Sequence, residues 1–285
     1  MNSTVSEDTI DLSFEIFDGT DEMLPPTSPV VIVHGVFDCK ENWQKIAENI
    51  ADKSVKKVFV IDLRNHGDSG KSEDFSYSAM YRDLEKFIRM LKEPVILIGH
   101  SLGSTVTMGF ALKQPDMVNM LISVDITPLD YPMDTETRIL GALMKVKEAL
   151  RSIPQGYLLS KAKKFLENQF EKNNLVFALR KIFTSTLVQE GEHFKFKTNL
   201  DAVEEHICNR KTIRKTYPLS GFYKNPVLVV YGEKSNYVTS KDYNAMKTIF
   251  PNVSLTSIKD SSHWIHIEKP DDLFNAILSF LSSKN

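Results

Sequence analysis

The sequence predicts an α/β fold in which a mostly parallel, doubly wound sheet is interrupted by one long helical insertion. Short runs of consecutive apolar residues alternate with stretches whose apolar residues recur at helical spacing. Parallel strands that helices cover on both faces have this pattern. The alternation stops near Pro128 and resumes at Pro226. A chain of 285 residues with 42% hydrophobic and 25% charged content is long enough for one such core with an insertion.

The predicted strands are short runs with helical segments between them. Residues 12–17 alternate between apolar and polar side chains and end at Asp18-Gly19, which is typical of an edge strand followed by a turn. Continuous apolar runs, which predict buried strands, lie at residues 30–33, 57–63, 95–98, 120–126, 226–231 and 254–258. Helical stripes lie at residues 43–50, 80–91, 102–113 and 271–281, among others.

One segment departs from this alternation. We interpret residues 1–128 and 220–285 as an α/β core and residues 129–219 as a helical lid inserted into it. From Arg138 to Lys215 there are 16 Lys and Arg residues against 8 Asp and Glu, while the rest of the chain has 19 against 29. A basic lid can steer anionic substrates or make a peripheral contact with anionic lipid; a solvated basic face is the alternative.

The composition excludes several classes of protein. The net charge of −2 gives no reason to expect a nucleic-acid partner, and no apolar run reaches the ~18 residues that a membrane span needs. The first fifteen residues contain acids but no Lys or Arg, unlike a signal or transit peptide, so we expect a cytoplasmic protein. Two cysteines, Cys39 and Cys208, are too few for a disulfide framework and fit a reduced compartment. No cofactor or metal site is predicted.

The strongest chemical signal is the segment Gly99-His100-Ser101-Leu102-Gly103, which joins an apolar run to a helical stripe. A G-x-S-x-G turn between a strand and a helix presents its serine at the carboxyl edge of the sheet. Ser101 is therefore the candidate nucleophile. The backbone N–H groups of Leu102 and of Val36, which follows the strand at 30–33, are the candidate oxyanion hole.

A serine nucleophile needs a histidine base, and seven histidines compete for the role. His263 follows the last predicted strand and should therefore lie at the same edge as Ser101. His266, one helical turn later, is the rival, although the turn should carry it away from the edge. Three others have different expected roles: His34 and His66 adjoin glycines and should fix loops by hydrogen bonds, and His100 should point to the opposite side of the serine turn.

Two loops compete to supply the acid that orients the histidine. In folds with this serine turn, the acid lies between the serine and the histidine in chain order. Asp125 ends the strand at 120–126 and is the better candidate, against the alternative that it caps the next turn. The loop after residues 226–231 is the weaker candidate, because it has Ser235 and no aspartate. Glu233 in that loop is the fallback.

Six segments in order, HGVFD, DLRNHGDS, GHSLGS, SVDITP, FKFKTNLDAV and SSHWIHIEKP, resemble the α/β-hydrolase superfamily. They are most similar to the branch that contains abhydrolase domain-containing protein 11 and related bacterial esterases. The resemblance implies an α/β-hydrolase fold, hydrolysis of carboxylic esters such as diacylglycerols, an acid within the VDI motif at Asp125, and a mitochondrial address for several members. Ser104 and Ser262 stand where glycines are frequent in that pattern.

The main hypothesis is a serine hydrolase that cleaves lipid esters or short to medium acyl esters through Ser101, Asp125 and His263. Acyl transfer to an alcohol and thioester hydrolysis would use the same triad, because only the attacking or departing group differs. The presence of all three residue types disfavours a non-catalytic ligand receptor. Ser101 argues against the epoxide hydrolases and haloalkane dehalogenases of this fold, which use an aspartate nucleophile.

Overall fold

The computed structural model describes residues 9–20, 27–129, 134–208 and 221–283. The strands in this part of the chain are β1 (Phe14–Asp18), β2 (Val30–Val33), β3 (Lys57–Ile61), β4 (Val95–His100), β5 (Val118–Val124), β6 (Leu187–Glu190), β7 (His193–Phe196), β8 (Val227–Gly232) and β9 (Val253–Ile258). The helices are α1 (Gln44–Ser54), α2 (Tyr77–Leu91), α3 (Leu102–Lys113), α4 (Thr135–Arg151), α5 (Leu159–Lys172), α6 (Phe177–Thr186), α7 (Leu200–Cys208), α8 (Tyr243–Ile249), α9 (Ile265–Glu268) and α10 (Pro270–Ser283).

The main sheet has seven strands in the order β1-β3-β2-β4-β5-β8-β9. β1 pairs antiparallel with β3, and the other neighbouring strands are parallel. The predicted mostly parallel, doubly wound sheet with an edge strand is thus confirmed. The chain runs from β2 to β3 on one side and then crosses to β4 on the other side. Ligands of open α/β sheets bind at such a switch point, outside the carboxyl ends of the strands.

The central strands are apolar at consecutive positions because both faces of the sheet are covered. In β2, Val30 and Ile32 pack into one cluster with α1 and α10, while Val31 and Val33 pack into the opposite cluster with α2 and α3. All four side chains are fully buried. Burial of each stabilises the fold by about 1.5–3 kcal/mol, so the two helical layers fix the position of every strand that ends near the site.

The loop between β3 and α2 is held to the core by a buried ion pair. Arg64 Nε and Nη2 donate to the two carboxylate oxygens of Asp83 at 2.6 and 2.8 Å. The two side chains are only 1% and 0% exposed. Arg64 Nη1 also donates to the carbonyl of Asp74 at 2.7 Å, so one guanidinium fixes both ends of this loop.

Helices α4 to α7 and the strands β6 and β7 lie along the chain between β5 and β8. The interpretation of residues 129–219 as a lid inserted into a core of residues 1–128 and 220–285 stays a prediction. Its second boundary, at residues 219 and 220, lies outside the described residues. Below, the helices α4 to α7 with β6 and β7 are called the lid.

The lid, interpreted as helical from its sequence, also contains two strands. Strands β6 and β7 form an antiparallel hairpin, with Gly191 at φ 60° in the turn between them. Only Leu187 and Phe196 are buried in this hairpin, and the residues between them are partly or fully exposed. The hairpin therefore lacks the continuous apolar run that predicted the strands of the main sheet.

Within the described residues, no helix is both long and apolar enough to cross a lipid bilayer. Both cysteines are free, with Cys39 buried and Cys208 exposed. At the carboxyl edge of the main sheet, the loops after β2, β4, β5, β8 and β9 contain, respectively, Val36, Ser101, Asp125, Glu233 and His263. Parallel pairing thus brings every candidate residue of the sequence analysis to one edge of the sheet.

Candidate active site

Ser101 is the single residue between β4 and α3, and its backbone has an unusual conformation. Its φ is 51° and its ψ is −117°, a region that residues with a side chain rarely adopt and that costs of order 1–3 kcal/mol. Gly103 is needed for close approach, because a Cβ there would lie 2.2 Å from the carbonyl oxygen of Val33. The predicted sharp turn between a strand and a helix is present at this serine.

Asp125 follows β5 and is fully buried, with φ 57°. Its Oδ1 accepts a hydrogen bond from the backbone N–H of Gly232 at 3.0 Å. Its Oδ2 accepts from Nδ1 of His263 at 2.7 Å and from the hydroxyl of Ser235. Because a carboxylate only accepts, Nδ1 of His263 donates this hydrogen bond.

The competing acid differs from Asp125 in its exposure. Glu233 is exposed, whereas Asp125 contacts the ring of His263 directly. Ser235 stands in the loop after β8 and donates its hydroxyl to the Asp125 carboxylate. A side chain of the competing loop therefore supports the carboxylate of Asp125.

Ser101 and His263 line one cavity of about 170 Å³. One side of it, the core wall, consists of loop residues at the sheet edge, namely Ser101, Ser235, Tyr237, His263 and Trp264. The opposite side, the lid wall, consists of Arg138, Ile139, Ala142 and Leu179 on α4 and α6. Tyr237 stacks on the ring of His263, with 4.2 Å between ring centroids and an interplanar angle of 25°. The catalytic candidates thus lie between the sheet edge and the lid.

A second cavity of about 90 Å³ also reaches Ser101. It shares Val36, Ser101, Ile139 and Tyr237 with the first cavity. Leu102, whose N–H is at the first position of α3, lines the second cavity. The first N–H groups of a helix have no partner within the helix and are available to a developing negative charge.

The loop that carries Val36 passes very close to the serine turn. A Cβ on Gly35 would lie 2.7 Å from Nδ1 of His100 and 3.1 Å from Cβ of Ser101. The missing side chain lets the backbone around Val36 approach Ser101. Val36 lines both cavities beside Ser101, which is where the sequence predicted the second N–H of an oxyanion hole.

His34 and His66 fix the loops after β2 and β3, as the sequence predicted. Nε2 of His34 accepts from the N–H of Leu63 at 3.1 Å, and Nε2 of His66 accepts from the N–H of Phe37 at 3.0 Å. Burial, followed by the nearby His34, lowers the pKa of His66 to about 3. His66 is therefore neutral at pH 7 and joins the two loops as a hydrogen-bonding group.

His100 lines the same cavity as Ser101, and its buried ring lies against the rings of His263 and His266, with 4.9 and 4.6 Å between centroids. Its Nε2 donates to the backbone carbonyl of His263 at 3.0 Å. Burial, and then the neighbouring His266 and His263, lower the pKa of His100 well below its usual value. The neutral ring supports the loop that carries His263.

His266 is buried behind this loop, where its Nε2 lies 3.0 Å from Oδ2 of Asp38. Its ring stacks on Trp43 with 4.5 Å between centroids, and Trp43 Nε1 donates to the same oxygen at 3.0 Å. Burial alone would raise the pKa of Asp38, but His266 and further hydrogen bonds hold it well below its usual range. His266 thus contacts a buried carboxylate and is not among the residues that line the cavity at Ser101.

Within the described residues, Asp38, His100 and His266 form one group with the ligand atoms to hold a metal ion, all within 4.8 Å of one another. All three are buried, and their contacts with Trp43 and His263 are those of a support for the loop above them.

The two serines that depart from the family pattern both make hydrogen bonds. The Ser104 hydroxyl donates to the carbonyl of Gly99 at 2.5 Å and accepts from the N–H of Val124 at 3.2 Å. Ser262 donates from its N–H and its hydroxyl to the Glu268 carboxylate, at 2.7 Å each. These bonds tie the serine turn to β5 and fix the His263 loop.

The chain belongs to the α/β-hydrolase fold family, whose model matches residues 28–270. It is 32% identical over 273 residues to the mouse protein named sn-1-specific diacylglycerol lipase ABHD11, covering 95% of this chain and 85% of that protein. It is 28% identical to a probable alcohol acetyltransferase of Wickerhamomyces anomalus, covering 91% of this chain and 80% of that one. The solved structure of a marine microorganism esterase superimposes with a TM-score of 0.79 at 30% identity, covering 95% of this chain and 100% of the esterase.

These comparisons confirm the predicted fold class and the predicted resemblance. Relatives and structural neighbours named as lipases and esterases also agree with the predicted enzyme class, a carboxylic ester hydrolase. Three contacts of the site had no signal in the sequence: the bond from Ser235 to Asp125, the bond from His100 to His263, and the stacking of Tyr237 on His263.

Proposed function

We propose that the protein hydrolyses carboxylic esters, with Ser101 as nucleophile, His263 as general base and Asp125 as the acid that orients the base. The observation that carries the proposal is the 2.7 Å contact between His263 Nδ1 and Asp125 Oδ2, together with the cavity that His263 and Ser101 both line. A serine hydroxyl is a weak nucleophile until a positioned imidazole takes its proton. This arrangement supplies the imidazole in the required tautomer.

In the first half of the reaction, Nε2 of His263 takes the hydroxyl proton of Ser101 as Oγ forms a bond to the acyl carbon. The carbonyl π electrons move to oxygen, where the N–H groups of Val36 and Leu102 stabilise the negative charge. When the carbonyl reforms, the bond to the alcohol oxygen breaks, and His263 gives that oxygen its proton. Each such N–H contributes about 3–4 kcal/mol in the transition state of comparable enzymes.

In the second half, a water molecule takes the place of the alcohol. His263 removes a proton from water as the water oxygen attacks the acyl carbon of the acyl-enzyme. When the carbonyl reforms, the bond between the acyl carbon and Oγ of Ser101 breaks, and His263 gives Oγ its proton. The products are the carboxylic acid and the regenerated hydroxyl. Asp125 holds the imidazole in one tautomer and stabilises the imidazolium in both halves, and the Ser235 hydroxyl and Gly232 N–H keep its carboxylate in place.

Acyl transfer to an alcohol is the second candidate. The relative named as a probable alcohol acetyltransferase covers 91% of this chain. The cavity at Ser101 is covered by Ile139, Ala142 and Leu179 of the lid wall, and such apolar residues would favour an alcohol over water beside the acyl-enzyme. Hydrolysis and transfer share every step up to the acyl-enzyme.

The test is labelling with a fluorophosphonate probe combined with hydrolysis of p-nitrophenyl esters. The wild-type protein should be labelled and should hydrolyse the esters. Ser101→Ala should not be labelled, and its kcat for ester hydrolysis should fall by more than about 10⁴-fold. Adding ethanol to the wild-type reaction and measuring the alkyl ester product separates transfer from hydrolysis. A folded Ser101→Ala protein that still turned over esters would overturn the proposal.

A further inference from the structure

The two cavities that meet at Ser101 differ in the residues that complete them. The larger cavity, of about 170 Å³, includes His263, Ser262 and Trp264. The smaller, of about 90 Å³, includes neither His263 nor its neighbours, and contains Leu102 and Ile126 instead. Val36, Ile139 and Tyr237 line both. A substrate bound to Ser101 therefore has two different places for its two halves.

The chemistry of the proposed reaction decides which half enters which cavity. The departing alcohol oxygen must be within hydrogen-bond reach of His263, because this residue supplies its proton. The alcohol then lies in the larger cavity, which His263 lines. The acyl oxygen points to the N–H groups of Val36 and Leu102, so the remaining substituent of the acyl carbon, its chain, is left with the smaller cavity.

We propose that the smaller cavity binds the acyl chain, that His206 in its lining limits the chain to about four carbons, and that the preferred substrates are therefore short, uncharged acyl esters. This inference rests on the proposed function and adds to it the class of acyl group and the residue that selects it.

The volume of the smaller cavity sets the length. A cavity of about 150 Å³ is filled by benzene, which has six carbons. At about 90 Å³, the smaller cavity offers space for roughly four carbons on the same scale. An acetyl or butyryl group fits, and an octanoyl chain does not fit without displacing a wall.

One part of the lining, called the aromatic wall below, is a contact between the lid and the core. His206 on α7 packs edge-on against Phe75, with 5.2 Å between ring centroids, and against Tyr77 at 6.1 Å. All three side chains line the smaller cavity. Because aromatic rings of both the lid and the core meet there, a longer chain would have to separate them.

The lining of this cavity also selects for charge. Burial lowers the pKa of His206 to about 4, although the Asp74 carboxylate opposes the shift. The ring is therefore neutral at pH 7. Among the described residues that line this cavity, Glu136 is an acid and none is Lys or Arg, so an acyl chain that ended in a carboxylate would meet no positive partner.

The experiment measures kcat/KM for p-nitrophenyl acetate, butyrate and octanoate. It uses two variants of His206 in the aromatic wall that change the volume of the smaller cavity in opposite directions. His206→Ala enlarges the cavity, and His206→Trp fills it. His193→Ala is the matched control, because it removes the same side chain from an exposed position on β7 of the lid. Each variant is compared by the ratio of two substrates in one preparation, so the folded fraction cancels.

We expect the wild-type protein to prefer acetate and butyrate to octanoate. His206→Ala should raise the octanoate-to-acetate ratio by at least about tenfold, and His206→Trp should lower the butyrate-to-acetate ratio by a similar factor. His193→Ala should leave both ratios unchanged. Unchanged ratios in both His206 variants would overturn the inference. The proposed function fails separately, if the wild-type protein hydrolyses none of these esters.

Discussion

The core wall and the lid wall face the same substrate but are built differently. On the core side, polar groups are buried and hydrogen-bonded: Asp125 is 0% exposed and accepts from Gly232, Ser235 and His263. On the lid side, the charged residue of the wall is Arg138, which forms an exposed ion pair with Asp134 at 2.9 Å; the two side chains are 46% and 63% exposed.

This difference indicates that the core holds the geometry of the catalytic candidates and that the lid influences which substrates reach them. A buried carboxylate without partners would be very costly, so its geometry is held by every group around it. An exposed ion pair contributes about 0–1 kcal/mol and can open at little cost. Changes in the core should therefore affect turnover or folding strongly, and changes in the lid should affect selection among substrates.

The largest expected effect is on the acid. Asp125→Asn keeps the size of the side chain but can hold His263 in the wrong tautomer, so kcat should fall by up to about 10⁴-fold. Glu233→Gln, in the competing loop, should change kcat little, because Glu233 is exposed. Both variants are measured on p-nitrophenyl acetate. A severe loss in Glu233→Gln with near-normal Asp125→Asn would transfer the role of acid to the loop after β8.

A smaller effect is expected on the free energy of unfolding when one ion pair in the core and one in the lid are broken. Arg64→Met leaves Asp83 buried without its partner and should lower the free energy of unfolding by about 3–5 kcal/mol. The lid pair of Arg180 with Glu171, at 2.9 Å, has a carboxylate side that is 69% exposed. Glu171→Gln should therefore cost about 0–1 kcal/mol.

Denaturant titration of both proteins gives these values. The double change Arg64→Met with Asp83→Leu should recover much of the loss, since no unpaired charge is then left in the core. Equal losses for Arg64→Met and Glu171→Gln would contradict the contrast between the two regions.

The smallest effect should come from the charge of the lid. Lys161 and Lys164 are exposed on α5, and replacing both with Gln should lower kcat/KM for an anionic ester by a factor of about 2–10 at low salt. The decrease should fade above about 0.1 M salt, where the screening length is ~10 Å. Neutral p-nitrophenyl acetate should be unaffected.

The matched control for the lid charges is Lys45→Gln with Lys53→Gln, which removes the same charge from exposed positions in the core. If this control reproduced the salt-dependent decrease, or if the lid variant acted equally on neutral and anionic esters, the lid lysines would be ordinary solvated surface.

The sequence predicted the parts of the molecule that local patterns determine. Ser101 follows from one short turn between a strand and a helix, and parallel strands bring the ends of β4, β5 and β9 to one edge. Asp125 and His263 were therefore predictable as candidates, and the 2.7 Å contact between them agrees with that prediction.

What the sequence did not predict depends on contacts between distant segments. The ring of His100 donates to the carbonyl of His263, 163 positions away along the chain. The aromatic wall of the smaller cavity forms only when His206 of α7 packs on Phe75. The β6–β7 hairpin was missed because only its two end residues are buried. None of these features can be recognised from the spacing of apolar residues or from a short sequence motif.

Ser101 and Asp125 both have positive φ values, 51° and 57°. Glycine adopts this region without steric cost, whereas other residues there cost of order 1–3 kcal/mol, with aspartate among the more tolerant. At both positions glycine would carry neither hydroxyl nor carboxylate. The proposed reaction therefore needs a side chain at two positions where the backbone conformation itself favours glycine.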